Sequence, residues 1–345
     1  MAITRVIENE SNGQDQQQEL ISPECKELLI SLPKERGWRT PNLYLYQHFW
    51  CQPKEIQAII SVQNHYNAEN TDLIVATIPK SGTTWLKALS FAIVNRRNFA
   101  HNQKNHPLLT SNSHELVPFL EYKLFADYEN IPDMSRFPRP LLLGTHMPIN
   151  ALPDSVMDLK CKIVYMVRNP FDTFVSIWHF MNKLRPEYLG PLSLEEAFDM
   201  YCRGAIGFGP YWDHMLGYWY ESLRAPQKVL FLKYEEVKEN TCFHLKKLAE
   251  FLGFPFSLEE EEGGAVEGIA KLCSFDKMKD LDVNKTGKGA ITAGFENRDL
   301  FRKGEVGDWA NLLTPLMVER LTDIMEEKLA GSGLTFGVFC NEKRS

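Results

Sequence analysis

The sequence lacks several features that mark secreted, membrane-bound and nucleic-acid-binding proteins. Its 345 residues contain no CxxC pair and no apolar run of membrane-spanning length, and the N-terminus is too polar for a signal peptide. The seven cysteines are scattered and odd in number, which predicts reduced thiols and a cytoplasmic location. Acidic residues outnumber basic residues, with Asp+Glu 45 against Lys+Arg 38, which gives a formal net charge of −7. We therefore expect no nucleic-acid and no membrane partner, and any anion site has to be a local cluster.

Composition separates a short tail from the rest of the chain. Residues 1–20 are rich in Gln, Asn and Glu, which predicts a disordered N-terminal tail. No internal repeat or compositional break follows, so residues 21–345 are interpreted as a single domain. A hydrophobic content of 44% and a charged content of 24% are typical of a soluble globular protein.

A strand, a polar turn and a helix follow one another near residue 80. Leu73–Ile78 is a nearly continuous apolar run rich in β-branched residues, which predicts a strand buried on both faces of a parallel sheet. Pro79 ends the strand, and helical spacing begins at Trp85. The turn between them combines a lysine, a glycine and three hydroxyls with the N–H groups of a helix N-terminus, which predicts a phosphate site. Its residues are Lys80, Ser81, Gly82, Thr83 and Thr84.

Two other interpretations of this turn remain open from the residues alone. An ordinary strand-to-helix turn needs only Thr83 or Thr84 as the helix cap. A P-loop nucleotide kinase needs the order GxxxxGK[ST], whereas here Lys80 precedes Gly82 and no glycine stands in the preceding strand. The residue order therefore disfavours a kinase.

Three further apolar runs each end at a polar or charged side chain. The residues that follow them are His146, Arg168 and Tyr234. Strands alternating with helices predict an α/β fold, a three-layer α/β/α arrangement around a central parallel sheet. Because ligands bind at the carboxyl ends of such strands, we expect these three residues to meet Lys80 at one site, although they lie far apart in sequence.

Two charged segments near the C-terminus have different interpretations. Arg302 and Lys303 stand beside Gly304, which suits a phosphate dianion, although a surface loop with chance charges is the alternative. Ser257 precedes four glutamates, residues 259–262. This pattern predicts a capped helix start favoured by the helix dipole rather than a metal site.

Three separated blocks resemble motifs of one family. Pro79–Trp85 resembles the 5′-phosphosulfate loop of cytosolic sulfotransferases, which bind 3′-phosphoadenosine-5′-phosphosulfate (PAPS). Tyr165–Ser176 resembles their 3′-phosphate motif, and Arg302–Trp309 resembles their C-terminal motif. The resemblance covers roughly Leu32–Phe336 and is strongest to the plant enzymes, in particular to those acting on hydroxyjasmonate.

The resemblance implies a reaction and a set of site residues. The reaction is transfer of the sulfuryl group of PAPS to an alcohol, with His146 as the base and Lys80 stabilising charge on the leaving group. No metal is required, because cationic side chains and helix dipoles neutralise the phosphates. The implied PAPS-binding residues are Lys80, Ser81, Gly82, Thr83, Thr84, Trp85, Arg168, Ser176, Tyr234, Phe275, Arg302, Lys303 and Gly304. Ser176 is also implied to tether Lys80 before the donor binds.

The acceptor is the least constrained part of the hypothesis. By resemblance, Phe119, Tyr122 and Phe180 line the acceptor site, although each is equally a plausible core aromatic. We expect a small hydroxylated plant metabolite, 12-hydroxyjasmonate, with flavonols and brassinosteroids as alternatives. A jasmonate carboxylate requires a cation or several donors, and the sequence alone does not single out that partner.

The sequence departs from the animal members of the family at Cys273, where they commonly have a threonine, and at two further places. Gly144 stands where they often carry a lysine, two residues before the implied base, so a cation is expected to be missing there. The animal dimerisation motif is incomplete over residues 310–319, which predicts a monomer or a weak dimer.

Overall fold

The computed structural model describes residues 21–137, 139–291 and 295–337, so the predicted tail lies outside the described residues. The strands are β1 (Lys34–Arg36), β2 (Asn42–Tyr46), β3 (Phe49–Cys51), β4 (Leu73–Thr77), β5 (Leu142–Thr145), β6 (Lys162–Val167) and β7 (Val229–Lys233).

The helices of the first half are α1 (Pro23–Ser31), α2 (Pro53–His65), α3 (Thr83–Asn95), α4 (Ser113–Leu116), α5 (Asp154–Asp158) and α6 (Pro170–Leu184). Those of the second half are α7 (Leu194–Cys202), α8 (Tyr211–Arg224), α9 (Tyr234–Glu239), α10 (Thr241–Leu252), α11 (Leu258–Glu262), α12 (Ala265–Leu272), α13 (Phe275–Lys279), α14 (Asp282–Lys285) and α15 (Pro315–Leu329). No described helix combines the length and the apolar character needed to cross a membrane.

A four-stranded parallel sheet forms the centre of the molecule. Its strand order is β5-β4-β6-β7, and every residue of β4 is buried. Alternate residues enter two apolar clusters: Ile74 and Ile163 belong to one, Val75 and Val164 to the other. Helices α2, α6, α8 and α15 cover the first face, and α3, α10 and α12 cover the second. The predicted three-layer α/β/α fold is confirmed.

Local sequence explains where the helices that border the site begin. Helix α3 follows Gly82, whose φ of 100° lets the chain turn sharply out of the strand. Helix α6 begins at Pro170, and the Asn169 side chain accepts a hydrogen bond from the backbone N–H of Asp172. Ser257 caps α11 in a reciprocal pair with Glu260, as the acidic run predicted.

A second, antiparallel sheet of β1, β2 and β3 borders the site. The aromatic stretch from Asn42 forms a hairpin in which Tyr46 faces Phe49. The loop between β1 and β2 is held by Arg185, whose guanidinium donates to the carbonyl oxygens of Gly37 and Trp38. These bonds fix the backbone beside Arg39, which reaches the cavity described below.

Candidate active site

The carboxyl ends of the four parallel strands border one cavity. Lys80, His146, Arg168 and Tyr234 follow β4, β5, β6 and β7, and all four line a cavity of about 540 Å³. The volume is in the range of small-molecule sites. Parallel strands thus bring together residues that are up to 154 positions apart in the chain, from 80 to 234.

The turn after β4 packs tightly against its neighbours. Lys80 has a φ of 68°, and a side chain at Gly82 would approach the Tyr234 ring to 2.8 Å. The Thr83 hydroxyl is 2.7 Å from that of Thr77. Gly82, Thr83 and Thr84 line the cavity, whereas Ser81 is buried away from it and its hydroxyl has no partner among the described residues. The structure therefore does not bring the Ser81 side chain to the cavity wall.

A group of cations lines one end of the cavity. Arg168 donates to the Glu305 carbonyl oxygen at 2.5 Å and lies 3.6 Å from the Asp172 carboxylate. Arg302 and Lys303 each contact the Asp308 carboxylate at 2.5 Å, which lowers the pKa of that carboxyl despite its burial.

Two buried donors of this group have no acceptor. The Nε atoms of Arg168 and Arg302 are buried and find no hydrogen-bond partner among the described residues. Ser176 lines the cavity with them. Unpaired guanidinium donors beside a cavity fit an anion such as a phosphate.

Aromatic rings and a glycine form an adjoining surface. The rings of Trp85 and Tyr234 meet edge to face with centroids 5.5 Å apart, and Phe275 lines the same region. Gly304 has a φ of 68°, and a Cβ there would lie 2.5 Å from the Phe275 ring. The Nε1 of Trp85 is buried without a partner among the described residues. Flat apolar walls with a spare donor suit a purine base.

Lys80 lines the cavity, and its amine has no hydrogen-bond partner among the described residues. Its Nζ lies over the Phe180 ring, 4.0 Å from the centroid. Burial, and then the charges of Arg168, Arg302 and Lys183, lower the pKa of Lys80 to about 7. No described hydrogen bond joins Lys80 to Ser176, so the tether implied by the resemblance is replaced by the contact with Phe180. The ammonium is therefore available to an incoming anion.

We expect binding of 3′-phosphoadenosine 5′-phosphate (PAP) to take up a proton at Lys80. With a pKa near 7 in the free protein, Lys80 is mostly neutral at pH 8 and mostly charged at pH 6. Bound phosphates favour the charged form, so proton uptake approaches one at pH 8 and falls toward zero at pH 6. Calorimetry in two buffers of different ionisation enthalpy measures this uptake.

Lys80→Met provides the control for that experiment. The phosphates of PAP titrate as well, and the variant reports their contribution alone. If the wild type takes up the same number of protons as Lys80→Met at both pH values, Lys80 is not the group that is protonated when PAP binds.

His146 is held in one tautomer. Its Nδ1 lies 2.6 Å from the Thr77 carbonyl oxygen, which can only accept, so Nδ1 carries the proton and Nε2 has a free lone pair. Burial lowers the pKa of His146 to about 3, so the ring is neutral at physiological pH. A neutral imidazole with an unprotonated nitrogen at the cavity wall can accept a proton from an acceptor hydroxyl.

Buried polar residues fix the backbone of His146. The Glu121 carboxylate accepts from its N–H at 2.7 Å, and burial raises the pKa of Glu121 to about 7. His214 Nε2–H donates to the His146 carbonyl oxygen at 2.9 Å, and the Tyr165 hydroxyl donates to His214 Nδ1 at 2.9 Å. These bonds hold the backbone of His146 in place, and the bond from Nδ1 to the Thr77 carbonyl oxygen orients the ring.

The three aromatics expected at the acceptor site separate into two groups. Tyr122 and Phe180 line the cavity. Phe119 is 1% exposed and is not part of the wall. Its ring centroid lies 4.7 Å from that of His146, because the chain from Phe119 pairs with β5 at Gly144 and turns the ring inward. The expected acceptor contact of Phe119 is therefore corrected to packing behind the base.

Sequence reasoning missed Arg39 and His114, which both line the cavity. Arg39 lies in the loop after β1, and its Nε donates to Gln52 at 3.1 Å. His114 is on the short helix α4, with Nε2 2.9 Å from the Thr84 hydroxyl. Neither residue follows a predicted strand, so no local pattern pointed to them. Within the described residues, no group of three or more His, Cys, Asp or Glu side chains has the geometry of a metal site.

Comparison of sequences identifies relatives over nearly the whole chain. A family model described as a sulfotransferase domain matches residues 70–333. Cytosolic sulfotransferase 15 of Arabidopsis thaliana is 55% identical over 323 residues, which cover 93% of this chain and 89% of the relative. Cytosolic sulfotransferase 14 of the same plant is 56% identical over 331 residues, which cover 95% and 94%.

Solved structures share the fold. A crystal structure of an Arabidopsis thaliana protein, provisionally named a steroid sulphotransferase, superposes with a TM-score of 0.72 at 40% identity, covering 92% of this chain and 98% of its own. Mouse sulfotransferase SULT7A1, complexed with PAP, superposes with a TM-score of 0.65 at 26% identity, covering 84% and 95%.

The family model and the relatives agree with the three sequence blocks that resembled sulfotransferase motifs. The P-loop kinase alternative is excluded by the same matches, since they extend over the strand, the turn and the helix on which it rested. The chain therefore belongs to the sulfotransferase family as a plant cytosolic enzyme, which transfers a sulfuryl group to a hydroxyl of a small acceptor.

Proposed function

We propose that this sulfotransferase uses PAPS as donor and 12-hydroxyjasmonate as acceptor. The observation that carries the choice of acceptor is Arg39, a cation at the part of the cavity wall that also contains Tyr122. Its terminal guanidinium nitrogens have no described hydrogen bond, and the nearest carboxylate, Glu55, is 3.9 Å away. A guanidinium with free donors fits a substrate carboxylate, which a jasmonate carries and a brassinosteroid does not.

The wall near Arg39 also suits the rest of a jasmonate. Phe180, Met181, Leu184 and Phe295 provide an apolar surface for a flexible hydrocarbon body. Tyr122 lies between this region and the base, since its hydroxyl donates to Glu55 at 2.5 Å and its ring centroid is 6.0 Å from that of His146.

The remaining cations support PAPS as the donor. Arg168, Arg302 and Lys303, with Ser176, would hold the 3′-phosphate, and the unpaired Nε atoms of the two arginines would supply donors. Trp85, Tyr234, Phe275 and Gly304 would contact the adenine. Gly82, Thr83, Thr84 and the backbone of Ser81 would hold the 5′-phosphate. The SULT7A1 complex with PAP supports PAPS as the donor and leaves these residue roles as proposals.

Two side chains of the protein would assist the transfer, one by accepting a proton and the other by stabilising charge. His146 Nε2 would accept the proton of the acceptor hydroxyl as its oxygen attacks sulfur. Lys80 would stabilise the negative charge on the phosphate oxygen as the S–O bond breaks. The donor supplies the sulfuryl group, and PAP leaves with the electron pair of the broken bond.

We expect the wild type to prefer 12-hydroxyjasmonate over flavonols and brassinosteroids in kcat/KM. Arg39→Gln should raise KM for 12-hydroxyjasmonate about tenfold or more, because a charged hydrogen bond contributes about 1.5–3 kcal/mol. The methyl ester of the same substrate, which lacks the charge, should show little change. Steady-state kinetics with labelled PAPS measure all three acceptor classes.

Arg36→Gln is the matched control, since Arg36 pairs with Glu196 on the surface and does not line the cavity. A flavonol preferred tenfold or more would overturn the choice of acceptor, and equal losses for acid and ester in Arg39→Gln would overturn the role of Arg39. Neither result bears on the family.

A further inference from the structure

A buried lysine lies beside the active site. Lys87 on α3 is 0% exposed and forms no ion pair within 4.0 Å among the described residues, and the charge it interacts with most is that of the buried Glu121 carboxyl. The Nζ lies 3.1 Å from the centroid of the Phe119 ring and 3.2 Å from His114 Nδ1. Burial without an ion pair is costly for a lysine, and burial lowers the pKa of Lys87 well below its usual value. A residue so placed needs an explanation beyond packing.

Gly144 provides the space for this side chain. A Cβ at position 144 would collide with Cε and Nζ of Lys87. The amine of Lys87 on helix α3 therefore occupies the space beside Gly144, where this chain has no side chain of its own.

A chain of polar contacts leads from Lys87 to the cavity. His114 Nε2 is 2.9 Å from the Thr84 hydroxyl oxygen, and both His114 and Thr84 line the cavity. His114 is itself buried, and its ring stacks on Phe119 with centroids 5.2 Å apart. Thr84 and Lys87 are three residues apart on α3 and therefore face the same side.

The direction of donation along this chain has a chemical consequence. The Lys87 amine carries N–H donors whether it is neutral or charged, and in the arrangement that we assign it donates to His114 Nδ1, which leaves the His114 proton on Nε2. Nε2–H then donates to the Thr84 oxygen, and the Thr84 hydroxyl proton is left to point into the cavity. In the opposite arrangement Thr84 would donate to His114 and offer only lone pairs to an anion.

We propose that Lys87 and His114 are positioning residues for sulfuryl transfer, which orient the Thr84 hydroxyl as a donor to an anionic oxygen of the donor substrate. The inference rests on the proposed use of PAPS. It adds to that proposal two residues that act through Thr84 and not on the transferred group, and it requires the space that Gly144 leaves for the Lys87 side chain.

The first experiment observes the tautomer directly. Selective ¹⁵N-histidine labelling, with His114→Gln to assign the signal, reports which nitrogen of His114 carries the proton. In the wild type we expect a protonated Nε2 and an unprotonated Nδ1. A protonated Nδ1 would overturn the proposal without any activity measurement.

The second experiment separates orientation from stability. Lys87→Met keeps the apolar stem and removes the amine, so we expect kcat/KM for PAPS to fall at least about tenfold. Tm should stay equal or rise, since the desolvation cost of a buried amine is removed. Thr84→Val should cause a similar fall, and the double variant should lose little more, because both substitutions remove the same donor.

Lys228→Met is the matched control. Lys228 is a buried lysine that donates to the carbonyl oxygens of Met157 and Leu159 and lines no part of the cavity. We expect it to lower Tm and leave kcat/KM unchanged. Full activity in Lys87→Met, or additive losses in the double variant, would overturn the proposal.

Calorimetry with PAP keeps the two proposals distinguishable. Wild-type protein that fails to bind PAP would refute the proposed donor, and the tautomer experiment would still decide the orientation of His114. If Lys87→Met binds PAP more weakly than the wild type, the Thr84 hydroxyl donates to the 5′-phosphate. If PAP binding is unchanged and turnover is slower, the hydroxyl donates to an oxygen of the sulfuryl group. Kinetics use any hydroxylated acceptor that the wild type sulfates.

Discussion

His146→Ala should lower kcat by roughly 10²–10⁴, the usual range for removal of a general base. The expectation rests on the tautomer fixed by Thr77, which leaves Nε2 as the proton acceptor at the cavity wall. Affinity for PAP should remain near that of the wild type, because the ring contacts none of the proposed phosphate ligands. Rapid-quench or steady-state assays with labelled PAPS, together with PAP calorimetry, measure the two quantities separately.

Imidazole rescue and an exposed histidine provide controls for this experiment. Added imidazole should restore part of the lost rate if the defect is a missing base rather than a collapsed site. His65→Ala, at the exposed end of α2, should behave as wild type. Retention of most activity by His146→Ala at neutral pH would rule out His146 as the base.

Arg168→Ala should weaken PAP far more than adenosine 5′-phosphate, which lacks the 3′ group. Arg168 is buried at the cavity wall with an unpaired Nε, and a charged hydrogen bond of about 1.5–3 kcal/mol corresponds to roughly 10- to 150-fold in Kd. Calorimetry with both nucleotides gives the selectivity as a ratio of two Kd values.

The ratio also corrects for general damage to the site. Arg168 holds the Glu305 carbonyl oxygen, so its removal can loosen the neighbouring loop and weaken both nucleotides together. Arg224→Ala, which removes an exposed arginine paired with Glu221, should change neither Kd. Equal weakening of the two nucleotides by Arg168→Ala would refute the 3′-phosphate assignment.

Local sequence patterns predicted the fold and the part of the site at the carboxyl ends of the parallel strands. A buried strand needs a continuous apolar run, so the strands that end near Lys80, His146, Arg168 and Tyr234 were recognisable. Parallel topology then requires their carboxyl ends to meet, and the cavity lies there. The three family motifs were each continuous in sequence, so the family was also recognisable, and the relatives confirm it. The single-domain boundary, the oligomeric state and the individual residue roles stay predictions.

Only the tertiary structure determined the contacts between distant parts of the chain. Arg39, His114 and Lys87 come from a loop, a short helix and the buried side of α3, and their positions depend on how those elements pack. Phe119 was misplaced for the same reason, because alternation and spacing indicate which side chains are apolar but not which face a cavity. Local sequence thus determined the strands, the turns and the donor-binding motifs, through hydrogen-bond geometry and apolar periodicity. The position of Arg39 at the cavity wall and that of the Lys87 amine near His114 were decided by packing. Contacts between residues that are remote in sequence leave no periodic pattern in either segment.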